Sequence, residues 1–282
     1  MHWNVGKVKI TKVVELETTG STRFILPLAS NDEIRKLPWL IPYFATEEGR
    51  LKMSIHSLVV ETPSSRIVVD TGLGNDKEGR SVPTWNNRQG PFLQTMCDAG
   101  FAPESIDTVL CTHLHVDHVG WNTRLDSGKW VPTFANARYV FGRTEYEYWR
   151  DHGAEPDKLA VFNDSVKPIV DAGRADLVAS DFRLCDEITL IPTPGHSPGH
   201  MSIHIRSDGE EALLTGDVAH HPCQMAHLDW SSTADSDPVQ SALTRRELFS
   251  RFADTPTLVI GGHFNAGHIR REGEAFKFVA LA

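Results

Sequence analysis

The chain of 282 residues holds only four cysteines, Cys97, Cys111, Cys185 and Cys223, and no two are spaced as C-x-x-C. That excludes a thiolate metal ribbon and a dithiol redox motif, and predicts free thiols in a reducing compartment. A basic excess is also missing. Lys and Arg number 28 against 37 Asp and Glu, a formal net charge of −9. The longest basic clusters are the pairs Arg245-Arg246 and Arg270-Arg271, expected on solvated faces. Nucleic acid needs a basic face to meet its phosphates, so it is not an expected partner. No apolar run reaches the length of a membrane span. The opening residues, Met1-His2-Trp3-Asn4-Val5-Gly6-Lys7, contain no hydrophobic leader. The expectation is a cytoplasmic protein with no membrane partner. Low-complexity linkers are absent too, and the reading is a single domain over residues 1–282.

What the sequence does contain is a succession of short apolar strands with interspersed helices. Strands are predicted over 5–16, 54–61, 66–70, 106–111, 137–142, 188–191, 201–205, 212–215 and 257–260. Helices are predicted over 92–99, from 144, through most of 150–180, and over 239–251. Residues 20–50 differ. They combine Phe24-Ile25-Leu26-Pro27-Leu28 with Leu37-Pro38-Trp39-Leu40-Ile41-Pro42-Tyr43-Phe44, and their three prolines break regular elements. This apolar loop packs on its own core, walls a substrate pocket or meets a second copy of the chain in a homodimer. One internal echo stands out. The strands at 66–69 and 212–215 are both apolar and both deliver an aspartate beside glycine, Asp70 and Asp217.

Histidine concentrates where the strand 106–111 ends. Cys111-Thr112-His113-Leu114-His115-Val116-Asp117-His118 puts three imidazoles and a carboxylate within six positions. On a strand, His113 and His115 would face one side. Asp117 and His118, in a loop or helix start, would then turn toward a second point. Four such side chains buried without a cation would carry a large desolvation cost. Imidazole with carboxylate favours zinc, with iron or manganese as substitutes. Further donors stand at strand ends: His196 in Thr193-Pro194-Gly195-His196-Ser197-Pro198-Gly199-His200, Asp217, and His263 after Gly261-Gly262.

The order H-x-H-x-D-H, a lone histidine in T-x-G-H-S-x-G-H, Gly-Asp and a final histidine resembles the metallo-β-lactamase superfamily. The separations from His118 to His196, Asp217 and His263 are 78, 21 and 46 residues in turn. The resemblance implies an α/β fold, an αβ/βα four-layer sandwich with two mixed sheets flanked by helices, built from two similar halves. It also implies two Zn2+ per chain. His113, His115 and His196 would hold one, Asp117, His118 and His263 the other, and Asp217 would bridge them. Asp70 would orient a ligand histidine. Catalysis would fall to a metal-bridging hydroxide, with Asp117 moving the proton to the leaving group.

Within the superfamily, Asp217 and the lack of a leader count against the β-lactamases. Only 19 residues follow His263, too few for the helical domain of the glyoxalase II type, and the acidic chain shows no nuclease insertion. The segments Gly120-Trp121-Asn122 and Gly216-Asp217-Val218-Ala219-His220-His221-Pro222 resemble the lactonase branch, which includes N-acyl-homoserine lactonases and organophosphate and aryl-ester hydrolases. The implied activity is opening of a lactone or carboxyl ester with a hydrophobic substituent, hence quorum quenching. The alternatives are a phosphotriesterase or aryl esterase on the same site, and a di-iron redox member. One departure concerns His220. Three residues after the bridging aspartate, homoserine lactonases place a tyrosine that polarises the carbonyl, and His220 is the expected replacement in catalysis. Trp121 and Trp130 are candidates for a pocket lining, with core packing the commoner use of such rings.

Overall fold

The structure, a computed structural model, describes residues 1–20, 24–152 and 156–281. Residues 21–23 of the apolar loop, 153–155 of the helical stretch and residue 282 lie outside the described residues. The chain forms two compact units, Met1–Glu15 with Ile55–Ser180, and Leu16–Ser54 with Asp181–Ala282.

The first unit carries most of a seven-stranded sheet. Its strands are β1 (His2–Val5), β2 (Val8–Gly20), β3 (Leu51–Glu61), β4 (Arg66–Val69), β5 (Thr108–Leu110), β8 (Arg138–Gly142) and β9 (Ala175–Val178), side by side in that order. A separate hairpin joins β6 (Thr123–Asp126) to β7 (Lys129–Pro132). β4, β5, β8 and β9 run parallel, whereas β3 and β4 are antiparallel. β4 reads Ile67-Val68-Val69 with no polar alternation, as an interior strand covered on both faces does, and all three residues are buried. Phe92, Met96, Tyr139, Phe141 and Trp149 fill the adjoining core.

The second unit carries a six-stranded sheet ordered β10 (Ile188–Pro192), β11 (Met201–Ser207), β12 (Glu210–Leu214), β13 (Leu258–Ile260), β14 (Gly267–Glu272) and β15 (Ala275–Ala280). All pairs are antiparallel except the parallel β12 and β13. The helix Pro238–Phe252 starts at Asp237, whose side chain accepts from Gln240 N at 2.9 Å, the usual way to satisfy a helix's first donors. Residues of the 20–50 segment supply this unit's core. Leu26, Ile34, Leu40 and Phe44 are buried with Phe249, Phe264 and Phe278. Among the segment's described residues the helical elements are a short helix, Asn31–Arg35, and a 3-10 turn, Pro38–Leu40. Phe24, Leu28 and Tyr43 stay exposed.

Several elements depart from the sequence pattern. The strand expected over 5–16 is a hairpin: Gly6 takes φ 56° and Val5 pairs with Val8, so the alternation continued across a two-residue turn. Among the described residues of the stretch 150–180, the last helix ends at Asp171. Gly173 at φ 66° ends the helix and β9 follows. Four half-buried residues at a sheet edge are too few to show a period. The pairs β6–β7 and β14–β15 carry charged residues on their open faces, which hid them. Arg245, expected on a solvated face beside Arg246, is fully buried. No helix among the described residues is long and apolar enough to cross a membrane.

Candidate metal centre

In the first unit the carboxyl ends of the parallel strands β4 and β5 bring their loops together. Asp70, directly after β4, adopts φ 53°. Its Oδ1 accepts from Thr112 N at 2.8 Å and its Oδ2 accepts from Thr112 Oγ1 at 2.8 Å and from His118 Nδ1 at 2.9 Å. Close approach of the two loops depends on Gly120, where a Cβ would stand 1.9 Å from the Leu73 carbonyl carbon. Gly120 N donates to Gly72 O at 2.7 Å and Trp121 N to Thr71 O at 2.9 Å.

These contacts fix tautomers. Because the Thr112 hydroxyl donates to Asp70, its oxygen accepts from His113 Nδ1, 3.1 Å away. His118 Nδ1 likewise carries the proton it gives to Asp70. Both rings therefore present Nε2 as a lone pair. His115 Nδ1 lies 3.0 Å from His113 Nε2, and Asp117 Oδ1 lies 3.7 Å from His118 Nε2. His113 and His115 do not share a strand face as expected. β5 stops at Leu110, and His115 immediately precedes the short helix Val116–Val119 that carries Asp117 and His118. Two further residues hold this loop. Buried Glu145 accepts from Leu114 N at 3.1 Å and from Trp149 Nε1 at 2.8 Å, and the Trp149 ring stands edge-on to His115 at 5.4 Å. Trp121 is buried, stacks on Phe92 and donates to Glu15 at 3.0 Å. Burial raises the Glu15 carboxyl above its ordinary value, against the Leu73 and Trp121 donors that lower it.

In the second unit three imidazoles surround one carboxylate oxygen. Asp217 Oδ2 lies 3.5 Å from His196 Nε2, 3.3 Å from His220 Nε2 and 3.1 Å from His263 Nε2. Here too the outer nitrogens are occupied. His196 Nδ1 donates to Asp235 Oδ1 at 2.9 Å and His263 Nδ1 to the Ser54 carbonyl at 3.1 Å, so that in the neutral rings Nε2 carries a lone pair. Asp235 is itself held by Ser232 N at 3.0 Å and faces the Arg245 guanidinium at 3.8 Å. Arg245 donates to Val218 O at 2.9 Å, Ser241 Oγ at 3.0 Å and Leu228 O. Burial lowers its affinity for its proton and Asp235 restores part of it. A Cβ at Gly262 would fall 2.4 Å from Asp217 Oδ1, so only glycine admits the carboxylate.

His220 differs from its neighbours. Its ring stacks on His263 at 5.6 Å and meets His196 edge-on at 4.8 Å. Its backbone N donates to Gln224 Oε1 at 2.7 Å. Its Nδ1, fully buried, has no hydrogen-bond partner among the described residues. Burial pushes this imidazole down to about 3, more than the Asp217 charge draws it up. His268 sits on β14, bonded to Thr257 O at 2.9 Å, as part of the sheet.

Bare imidazole nitrogens aimed beside carboxylates, with each opposite ring nitrogen donating to a fixed acceptor, form a donor set that fits divalent metal ions. Asp235, Glu145 and Arg245 escaped the sequence reading. Each pairs with a residue tens of positions away, and no local spacing marks it.

The profile of the Metallo-beta-lactamase superfamily matches residues 52–263. The chain belongs to that superfamily. Among curated relatives, N-acyl homoserine lactonase of Bacillus thuringiensis is 25% identical over 183 residues, 60% of this chain and 66% of that protein. The chain thus spans slightly less than two thirds of that relative's length. N-acyl homoserine lactonase AttM of Agrobacterium fabrum is 33% identical over 218 residues, 64% of this chain and 77% of the relative. Two solved structures share the fold. AidC, described as a dizinc quorum-quenching lactonase, has a TM-score of 0.82 at 20% identity, covering 100% of this chain and 97% of its own. The hydrolase AbOPH has a TM-score of 0.81 at 23% identity, with the same coverage. The expected fold class, mixed sheets flanked by helices in the metallo-β-lactamase arrangement, is the one found.

Proposed function

We propose that this chain is a metal-dependent hydrolase that opens a lactone or carboxyl ester bearing a hydrophobic substituent. Two zinc ions would be held by His113, His115, Asp117, His118, His196, Asp217 and His263. The observation that carries this reading is the proton arrangement: Thr112, Asp70, Asp235 and the Ser54 carbonyl each take a ring proton from Nδ1, so that Nε2 of His113, His118, His196 and His263 can offer a lone pair to a metal. The lactonase names of the curated relatives supply the substrate class. When bound, the metals would supply a hydroxide nucleophile near neutral pH and stabilise negative charge on the carbonyl oxygen.

The protein's own residues complete the chemistry. Asp117 is placed to carry a proton to the departing alkoxide. His220, whose Nε2 faces Asp217 Oδ2 at 3.3 Å, stands where related lactonases place a tyrosine and would take over its part in polarising the substrate carbonyl. Exposed Phe24, Leu28 and Tyr43 offer an apolar face for the substrate's tail. Four free thiols agree with a reducing, cytoplasmic setting.

The test is a panel of acyl lactones, aryl esters and a phosphotriester, assayed on protein whose metal content is measured in the same preparation. Lactones are expected to give the highest kcat/KM, chelation to abolish turnover and zinc to restore it. Full activity in metal-free protein would sink the proposal, and a phosphotriester preference would replace the substrate class. Iron in the elemental analysis, with an optical spectrum to match, would point to redox chemistry instead.

Asp235 gives a second expectation. Asp235→Ala leaves His196 Nδ1 without its acceptor, and zinc affinity should fall about 10- to 100-fold. Competition with a chromophoric chelator measures it.

A further inference from the structure

Asp217 is held in place by more than its own turn. Its backbone N–H donates to His200 Nε2 at 2.9 Å. His200 belongs to the same Gly-Pro loop as His196, its ring lies edge-on to that imidazole at 5.9 Å, and it is buried. The direction of every bond around it follows from chemistry. Ser202 Oγ lies 2.9 Å from the Thr215 carbonyl, which only accepts, so the serine donates there. The Thr193 hydroxyl, 3.1 Å from Ser202 Oγ, then gives its proton to the serine oxygen. Thr193 Oγ1 therefore accepts from His200 Nδ1 at 2.8 Å. With its proton on Nδ1, His200 offers Nε2 as a lone pair, and the Asp217 amide uses it.

We infer that His200 is the positioning residue for Asp217, held as the neutral Nδ1–H tautomer by the hydroxyl relay Thr193–Ser202–Thr215. The relay crosses three neighbouring strands: Thr193 follows β10, Ser202 lies in β11 and Thr215 follows β12. All four members are buried. Gly216, at φ 53°, turns the chain so that the Asp217 N–H points back at the ring. The anchor is backbone to ring, so the carboxylate itself stays available to the three imidazoles around Oδ2. This assignment concerns the same site as the proposed function and rests on that reading for its metal consequence, but the tautomer does not depend on it.

Two experiments decide it. In uniformly 15N-labelled, metal-free protein, long-range 1H–15N correlations report each imidazole's tautomer. His200 is expected to show a protonated Nδ1 and a bare Nε2 near neutral pH. An Nε2–H tautomer or an imidazolium overturns the inference, whether or not the protein binds metal. The second compares zinc affinities, by chelator competition, in wild type, H200N and H200Q, with melting of the metal-free forms alongside. Glutamine can return an acceptor near the Nε2 position, whereas asparagine reaches only as far as Nδ1. H200N should weaken zinc binding about 10- to 100-fold, and H200Q should recover most of that loss at equal melting temperature. Equal affinity in all three, or equal loss in both variants, overturns the positioning role. If wild type takes up no zinc, the functional reading fails and the tautomer measurement still judges this one.

Discussion

On the proposed function, Asp217→Ala is expected to abolish hydrolysis of the preferred ester or lactone, by on the order of 10³-fold in kcat or more, and to bind less zinc than the wild type. Three imidazole Nε2 atoms lie within 3.1–3.5 Å of one oxygen of this carboxylate. Removing the carboxylate would take away the negative charge that offsets the zinc ions these residues would hold, in a buried setting where water screens little. His113→Ala should act in the same direction by taking one donor from one metal. Elemental analysis and single-turnover kinetics on matched preparations provide the check. Retained turnover with stoichiometric zinc would break the ligand assignment.

The largest effect on stability is expected from Arg245→Ala, a loss of about 3–5 kcal/mol measured by urea unfolding. Arg245 is fully buried, and its guanidinium serves Val218 O, Leu228 O and Ser241 Oγ. Alanine strands those groups and leaves Asp235 without its nearby cation at 3.8 Å. Breaking one side of a buried charged network is costly because the remaining charge stays desolvated. Arg246→Ala, on the same helix but exposed, serves as the control and should shift stability by less than about 0.5 kcal/mol. Similar losses in both variants would mean that the helix, not the network, sets the value.

The candidate donors His113–His118, His196, Asp217 and His263, and Asp70 beside them, could be picked out in the sequence because each follows an apolar strand at a sharp transition. β4, β5, β10, β12 and β13 place them, and the echo between the aspartates after β4 and β12 reappears as one such strand in each unit. The short strands β4, β5, β12 and β13 could be read because each has a neighbour on both sides and is mostly apolar and buried. What could not be read are the partners that orient the donors. Asp235 stands 39 positions from His196, Glu145 31 from Leu114 and Arg245 27 from Val218. Pairing at such distances is a property of the folded chain and leaves no spacing behind. Arg245 shows the limit plainly: as one of two adjacent arginines it looks like a solvated face, and only the carbonyls collected around it account for its burial.

The apolar segment that opens the second unit bears on how the protein is made. Leu26, Ile34, Leu40 and Phe44 pack with residues from Leu213 to Phe278, and the Ser54 carbonyl waits for His263. The intervening stretch, residues 55–180, belongs to the other unit. During translation this hydrophobic segment leaves the ribosome long before its partners exist, while the chain between them can already collapse. Its safe passage therefore depends on the order of synthesis as much as on the final fold, and a pause or truncation upstream of residue 213 would expose a sticky N-terminal stretch to quality control.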